Sequence, residues 1–313
     1  MSTATLDHEL DGAVRVAGSL PPGEDLARGL YASWYAHPVT PVEPAHPQAP
    51  PLTGALGLAA LGAGPWVPAT VRRVDPLGAV VVRPTGGGHR VVLPGAFTRL
   101  PGCGGAGLPP EVGEQVRVAP LLGGVVVGGW WRVWSPGWDP RSRPPAGLTR
   151  VYVCATAARH VEVVRRVLTA LLPLQRGWLL KSALDPATLA RPDRVVVYLP
   201  DEVAAPALAT LGRETAGLLA PFRPPLTVSA APGLAWAQDD GDVASFGENR
   251  CAALARGLRA WQARGGLLGD DDDDDAALAE ARDDCRQGLR DAGLDPDRPH
   301  LRPRATVGQG TDR

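Results

Sequence analysis

The feature that most restricts the fold is the order of hydrophobic patterns between Val151 and Ser229. Val151–Ala155 is a short β-branched run and reads as a strand. Ala157–Leu172 follows with Val161, Val164, Leu168, Leu171 and Leu172 on one side at helical spacing. Trp178–Lys181 reads as a second strand and Arg194–Leu199, RVVVYL, as a third of the buried type. Val203–Leu219 is a second helix with Leu208, Leu211, Leu218 and Leu219 in line, and Leu226–Ser229 is a further strand. Strand, helix, strand, twice over, predicts a split βαβ, ferredoxin-like sheet with helices on one face.

The flanking sequence makes the whole an α+β chain. Residues 1–64 hold a helical patch (Leu26, Leu30, Tyr31, Trp34) and a Pro-rich connector from Pro38 to Pro51. Residues 65–140 read as a β-rich subdomain, with runs at Val71–Val74, Ala79–Val82, Arg90–Leu93, Val116–Val118 and Val125–Val127. Gly86-Gly87-Gly88 precedes no helix, so it reads as a hairpin turn rather than a phosphate cradle. A Pro/Arg linker at 141–149 leads into an α+β unit over 145–303, and 304–313 reads as a disordered tail. Ser245, with Glu248 three residues later, is a capping box that opens a helix running to about Trp261. The last helix starts at Ala276 and stops at Gly293. The six aspartates from Asp270 to Asp275 repel one another and read as a solvated loop more readily than as a metal site.

Composition excludes several classes. A net charge of −1 argues against a general nucleic-acid binder. No apolar run is long enough to span a membrane, and Met1–Leu10 carries acids where a signal peptide would be apolar. The four cysteines, Cys103, Cys154, Cys251 and Cys285, lie far apart with no zinc spacing, which fits a reducing cytoplasm. Trp130, Trp131, Trp134 and Trp138 form a cluster that reads as a mini-core or interface in preference to a stacking platform.

One count points to chemistry. Lysine and arginine together number 32, and Lys181 is the single lysine, which leaves 31 arginines. In a chain so drifted towards arginine, a retained lysine suits a task arginine cannot do. Lysine can lose its proton at a workable pH and arginine cannot. A strand-end lysine in a surface ion pair is the plainer alternative.

Three segments resemble a known family. They are Lys181-Ser182-Ala183-Leu184-Asp185-Pro186 through Arg194–Leu199; Ser245-Phe246-Gly247-Glu248-Asn249-Arg250-Cys251; and Ala292-Gly293-Leu294-Asp295-Pro296-Asp297-Arg298-Pro299-His300-Leu301. Together they are similar to the HopA-like family, known from a type III secretion effector. Its other members look like the lyase partner of a separate kinase in class V lanthipeptide and thioamide-peptide synthesis. The resemblance covers residues 150–303. It departs from the family at Leu180-Lys181-Ser182 (usually Phe-Lys-Val), at Asn249 (often His) and at His300-Leu301-Arg302-Pro303 (often Tyr-Leu-Asn-Pro).

The resemblance implies a phosphoserine or phosphothreonine lyase that makes dehydroalanine or dehydrobutyrine in a ribosomal precursor peptide. No cofactor or metal is expected, and a separate kinase and the precursor peptide are the expected partners. Such an elimination needs a base for the α-proton and cations for the leaving phosphate. Lys181 is the expected base. Arg250, Arg191 and Arg150 are the expected phosphate forks, with Arg250 placed in the first turn of the capped helix. Tyr198 and His300 stand ahead of His160 as proton donors. Ser245 is accounted for as a cap and lies in no G-x-S-x-G elbow, so a hydrolase is not expected. A non-catalytic peptide-binding or kinase-scaffolding module is the main alternative. An effector acting on a host protein is a further one, disfavoured by the want of a Ser-rich N-terminal segment.

Overall fold

The computed structural model describes residues 1–21, 23–40, 52–84, 88–100, 109–120, 122–139, 147–174, 176–241, 244–268 and 275–303. Most of the Pro-rich connector, Gly86 and Gly87, Asp270–Asp274 and the tail after Pro303 lie outside them.

The split βαβ unit is present. Strand β8 (Leu148–Val153) leads through a 3-10 turn into α4 (His160–Leu171) and then β9 (Leu179–Ala183). The short α5 (Pro186–Leu189) precedes β10 (Val195–Pro200), which leads through α6 (Asp201–Glu214) to β11 (Val228–Ala231) and β12 (Leu234–Gln238). The order β12-β8-β10-β9, antiparallel throughout, is that of a ferredoxin-like sheet. The fourth position belongs to β12, which the sequence reading missed; Leu226–Ser229 lies largely ahead of the edge strand β11. LAWAQ is short and lacks the β-branched residues that mark a strand, so only pairing with β8 reveals it.

The β-rich stretch divides between two sheets. β1 (Val67–Val74), β2 (Val80–Pro84), β3 (Arg90–Val92), β4 (Phe97–Arg99) and β5 (Gln115–Val118) form a five-stranded antiparallel sheet of order β3-β2-β1-β5-β4 around Val71, Val82, Val116 and Val118. The hairpin β6 (Gly123–Val127) and β7 (Trp130–Trp134) instead joins the larger sheet beside β9, making seven strands. The reason is alternation: Trp131 and Val133 enter the core beneath α4, which leaves Trp130 and Arg132 on the other face.

Helices α4 and α6 share one face, as the pattern predicts. Val163, Val164, Val167 and Leu168 pack on Val151, Val153, Leu180 and Val197. The opposite face is covered by α1 (Thr3–Ser19), α2 (Leu26–Leu30, continuing as a π-turn to Tyr35), α7 (Phe246–Ala263) and α8 (Asp275–Asp291). Helix α1 was not anticipated. Its buried stripe of Leu6, Leu10, Ala13, Val14 and Ala17 includes two alanines, a faint hydrophobic signal. Helix α3 (Leu52–Leu61) packs on α4. The Ser245–Glu248 capping box opens α7 as read from sequence. Close approach of α7 to α8 depends on Gly257, where an added Cβ would stand 2.0 Å from the Asp284 carbonyl oxygen. No helix among the described residues is long and apolar enough to cross a membrane.

Candidate active site

Strand register assembles the site. Lys181 on β9 lies opposite Val196 of β10 on one side and Arg132 of β7 on the other. Val196 in turn lies opposite Tyr152 of β8. Side chains directly opposite share a face, so Lys181, Arg132, Tyr152 and, two positions along, Trp130, Tyr198 and Arg150 all face α7 and the π-turn.

Lys181 is half-buried, with Nζ 3.8 Å from the Trp130 ring centroid. Burial first, and then the charges of Arg191, Arg132 and Arg150, push its pKa down to about 8, with Asp193 opposing. Arg191 is clamped by Asp193, Nε to Oδ1 at 2.8 Å and Nη2 to Oδ2 at 2.7 Å. It also donates to the Tyr31 hydroxyl at 3.0 Å and lies 5.5 Å from the Trp130 ring. Arg150, buried, donates Nε to Asp239 and stands 5.1 Å over the Tyr198 ring, against which Trp138 also packs. Deeper in, the hydroxyls of Tyr35 and Tyr152 meet at 3.3 Å, and burial raises the pKa of both. The carboxylate of Glu248 closes the α7 end. Its hydrogen bonds to the Ser245 backbone and hydroxyl, and the charges of Lys181 and Arg150, keep its pKa low.

The site therefore holds Lys181, Arg150, Arg191 and Tyr198 together, as expected from sequence. Tyr198 sits diagonally from Lys181 on the neighbouring strand, a Cβ separation of about 7 Å. Two expectations are corrected. Arg250 is fully buried and is a structural tie rather than a phosphate fork. Four of its five N–H groups are used: two on Asp240, one on the Pro299 carbonyl at 2.6 Å and one on the Leu301 carbonyl at 2.9 Å. His300 is held at the opposite edge of the sheet, where its carbonyl accepts from the Gln238 amide at 2.8 Å and its ring meets Trp236 edge-on. The strands β8 and β10 separate β12 from β9, a span of about 14 Å, so His300 does not reach Lys181. His160 lies beneath the sheet, Nε2 2.8 Å from the Ser182 hydroxyl, and burial first, then Arg194, pushes its pKa down to about 4. Ser182 follows Lys181 and so points the other way.

Sequence reasoning missed Trp130, Arg132, Tyr152, Asp193, Tyr31, Tyr35 and Glu248. Trp130 was grouped with a mini-core, and that holds for Trp131, which is buried under α4. The alternation of the WWRVW strand carried the missing signal, since it sends Trp130 and Arg132 to the same side. No group of metal-ligating side chains occurs among the described residues.

Comparison with known proteins agrees with this architecture. The HopA1 effector protein family matches residues 133–301, just over half of the chain. The fold is similar to that of the effector protein from Pseudomonas syringae pv. tomato strain DC3000, with a TM-score of 0.52 at 12% identity, over 96% of this chain and 98% of that one. It is likewise similar to the effector protein from Pseudomonas syringae pv. syringae strain 61, with a TM-score of 0.54 at 13% identity, over 97% and 100% of the two chains. No curated protein matches the chain.

Proposed function

The chain belongs to the HopA1 effector protein family, and from that premise and the Lys181 site we propose a phosphoserine/phosphothreonine lyase acting on a phosphorylated precursor peptide. The observation that carries the reading is the chain's single lysine, half-buried on an indole and surrounded by arginines, with its pKa pushed down to about 8. A base for a peptide α-proton must be neutral near physiological pH, and this setting makes an amine so in part.

In the proposed reaction the neutral Nζ of Lys181 takes the Cα proton. The Cβ–O bond breaks as the Cα–Cβ double bond forms, and phosphate leaves on the fixed cations of the site. The products are dehydroalanine or dehydrobutyrine in the peptide, inorganic phosphate and a protonated lysine that returns its proton to solvent. Arg191 and Arg150 cannot lose their charge, so they stabilise the leaving group without competing as bases. Tyr198, beside Arg150, is the donor candidate nearest Lys181 of the two first considered. The chemistry draws on no metal or organic cofactor. The phosphorylated substrate requires a kinase, proposed here as a separate partner chain; elution of the two as separate species at micromolar concentration would count against a stable complex.

The deciding experiment is mass spectrometry of a phosphoserine peptide incubated with the purified protein. Loss of phosphoric acid, absent in Lys181→Ala and in Lys181→Arg, is the expected result. No loss, even with kinase and full-length precursor present, would sink the lyase reading and leave a peptide-binding module.

A further inference from the structure

We propose that Arg132 is the primary anchor of a phosphate-monoester site between β7 and β9, with Trp130 as its wall. The inference deepens the lyase reading and rests on it for the identity of the substrate, but the site can be tested as a binding site alone. Neither residue falls within the stretch matched to the family, which begins at residue 133.

The first observation is position. Arg132 is in direct register with Lys181, so their Cβ atoms are about 5 Å apart on one face. A phosphate held by this guanidinium would stand beside the amine that takes the α-proton, which is where a β-phosphate must sit relative to Cα.

The second is the account of charges. Four cations face the site, and two are already matched: Arg191 by Asp193 and Arg150 by Asp239. The Arg132 side chain has neither an ion pair nor a hydrogen bond among the described residues, and its Nε is buried with no partner. A buried N–H of a charged group left unsatisfied carries a desolvation cost that no partner offsets, so a ligand that satisfies it binds with that advantage. A guanidinium with its fork unoccupied is suited to bidentate recognition of a phosphate monoester.

The third is the effect on the base. A phosphate dianion beside Lys181 would by itself favour the ammonium form and quench the base. The positive charge of Arg132 acts on Lys181 in the opposite sense. One residue thus holds the anion and offsets its field at the amine. Trp130 completes the arrangement by lying against both Lys181 and Arg191, which fixes two more cations around the same space.

The test separates binding from turnover. Calorimetric titration of Lys181→Ala protein with a phosphoserine peptide and with its unphosphorylated counterpart measures the contribution of the phosphate. Adding Arg132→Gln is expected to weaken the phosphopeptide on the order of 10- to 100-fold and to leave the unphosphorylated peptide unchanged. Arg132→Lys, a point charge without a fork, should recover part of the loss. In otherwise native protein, Arg132→Gln should raise KM and also move the alkaline midpoint of the pH–rate profile upward, because a cation has left the neighbourhood of Lys181. Circular dichroism on each variant confirms the fold. Equal phosphopeptide affinity with and without Arg132 overturns the proposal, even if the native protein eliminates phosphate. Arg132-dependent phosphopeptide binding without elimination would instead retain the site and remove the lyase reading.

Discussion

Replacing Lys181 by methionine should make the protein more stable while removing the proposed base. Folding pushes the side-chain pKa from 10.5 down to about 8, which corresponds to about 3 kcal/mol of unfavourable burial for the charged form. Contact with the Trp130 ring at 3.8 Å returns about 1–2 kcal/mol of that. Methionine keeps the length and the apolar contacts without the charge, so a net gain of about 1–2 kcal/mol is expected at pH 7. Urea denaturation followed by tryptophan fluorescence measures it. The pH dependence carries a sign that can be checked. The folded pKa lies below the unfolded one, so between about pH 8 and 10.5 the unfolded chain binds the extra proton, and native stability rises with pH through that window. The advantage of methionine is therefore full below about pH 8 and fades towards pH 10.5. A methionine variant that is less stable at pH 7, or one whose advantage does not fade, would show that Lys181 sits comfortably as an ammonium, and the case for it as a base would fall.

Two further outcomes follow from the same geometry. The elimination rate should climb through about pH 8 and fall about tenfold per unit below pH 7, where the neutral fraction of Lys181 drops in proportion; a rate flat from pH 6 to 9 would exclude this base. Asp240→Asn leaves the fully buried Arg250 without its charge partner and should cost about 3–5 kcal/mol in chemical denaturation. A loss under 1 kcal/mol in Asp240→Asn, with weakened phosphopeptide binding, would return Arg250 to the phosphate site.

The split sheet was legible because periodicity is a local property. Val161 to Leu172 and RVVVYL declare a helix and a buried strand on their own. β12 and α1 were not, because their assignment rests on partners far along the chain: LAWAQ becomes a strand by pairing with β8, and the Ala-rich stripe of α1 by packing on α8. Helix–helix packing at Gly257 and the switch of β6 and β7 into the second sheet are likewise tertiary. The candidate site divides the same way. Lys181 stood out by composition. Arg250 was placed by its proximity to a helix N-terminus, and that local argument was overridden by Asp240, brought in from ten residues earlier, and by the carbonyls of Pro299 and Leu301. Arg132 was passed over because the alternation of WWRVW tells which residues share its face but not that β9 and Lys181 lie beside it.

What distinguishes the arginines is therefore not sequence context but whether a carboxylate meets them. Arg191, Arg150 and Arg250 each have one, and each is fixed by it. A guanidinium so held contributes a permanent field but has fewer N–H groups for a ligand. A site that must receive an anion and then release it needs both kinds: paired arginines that set the potential and one unpaired fork that takes the load. The same division explains the lysine. Among cations that cannot titrate, a proton can be accepted only by the one group that can, and in the reaction proposed above the unmatched positive charge that draws in phosphate also keeps that group ready to accept it. On the proposed reading, base and anion site depend on each other through charge, so a change at Arg132 should be felt in the titration of Lys181 even where the two side chains form no bond.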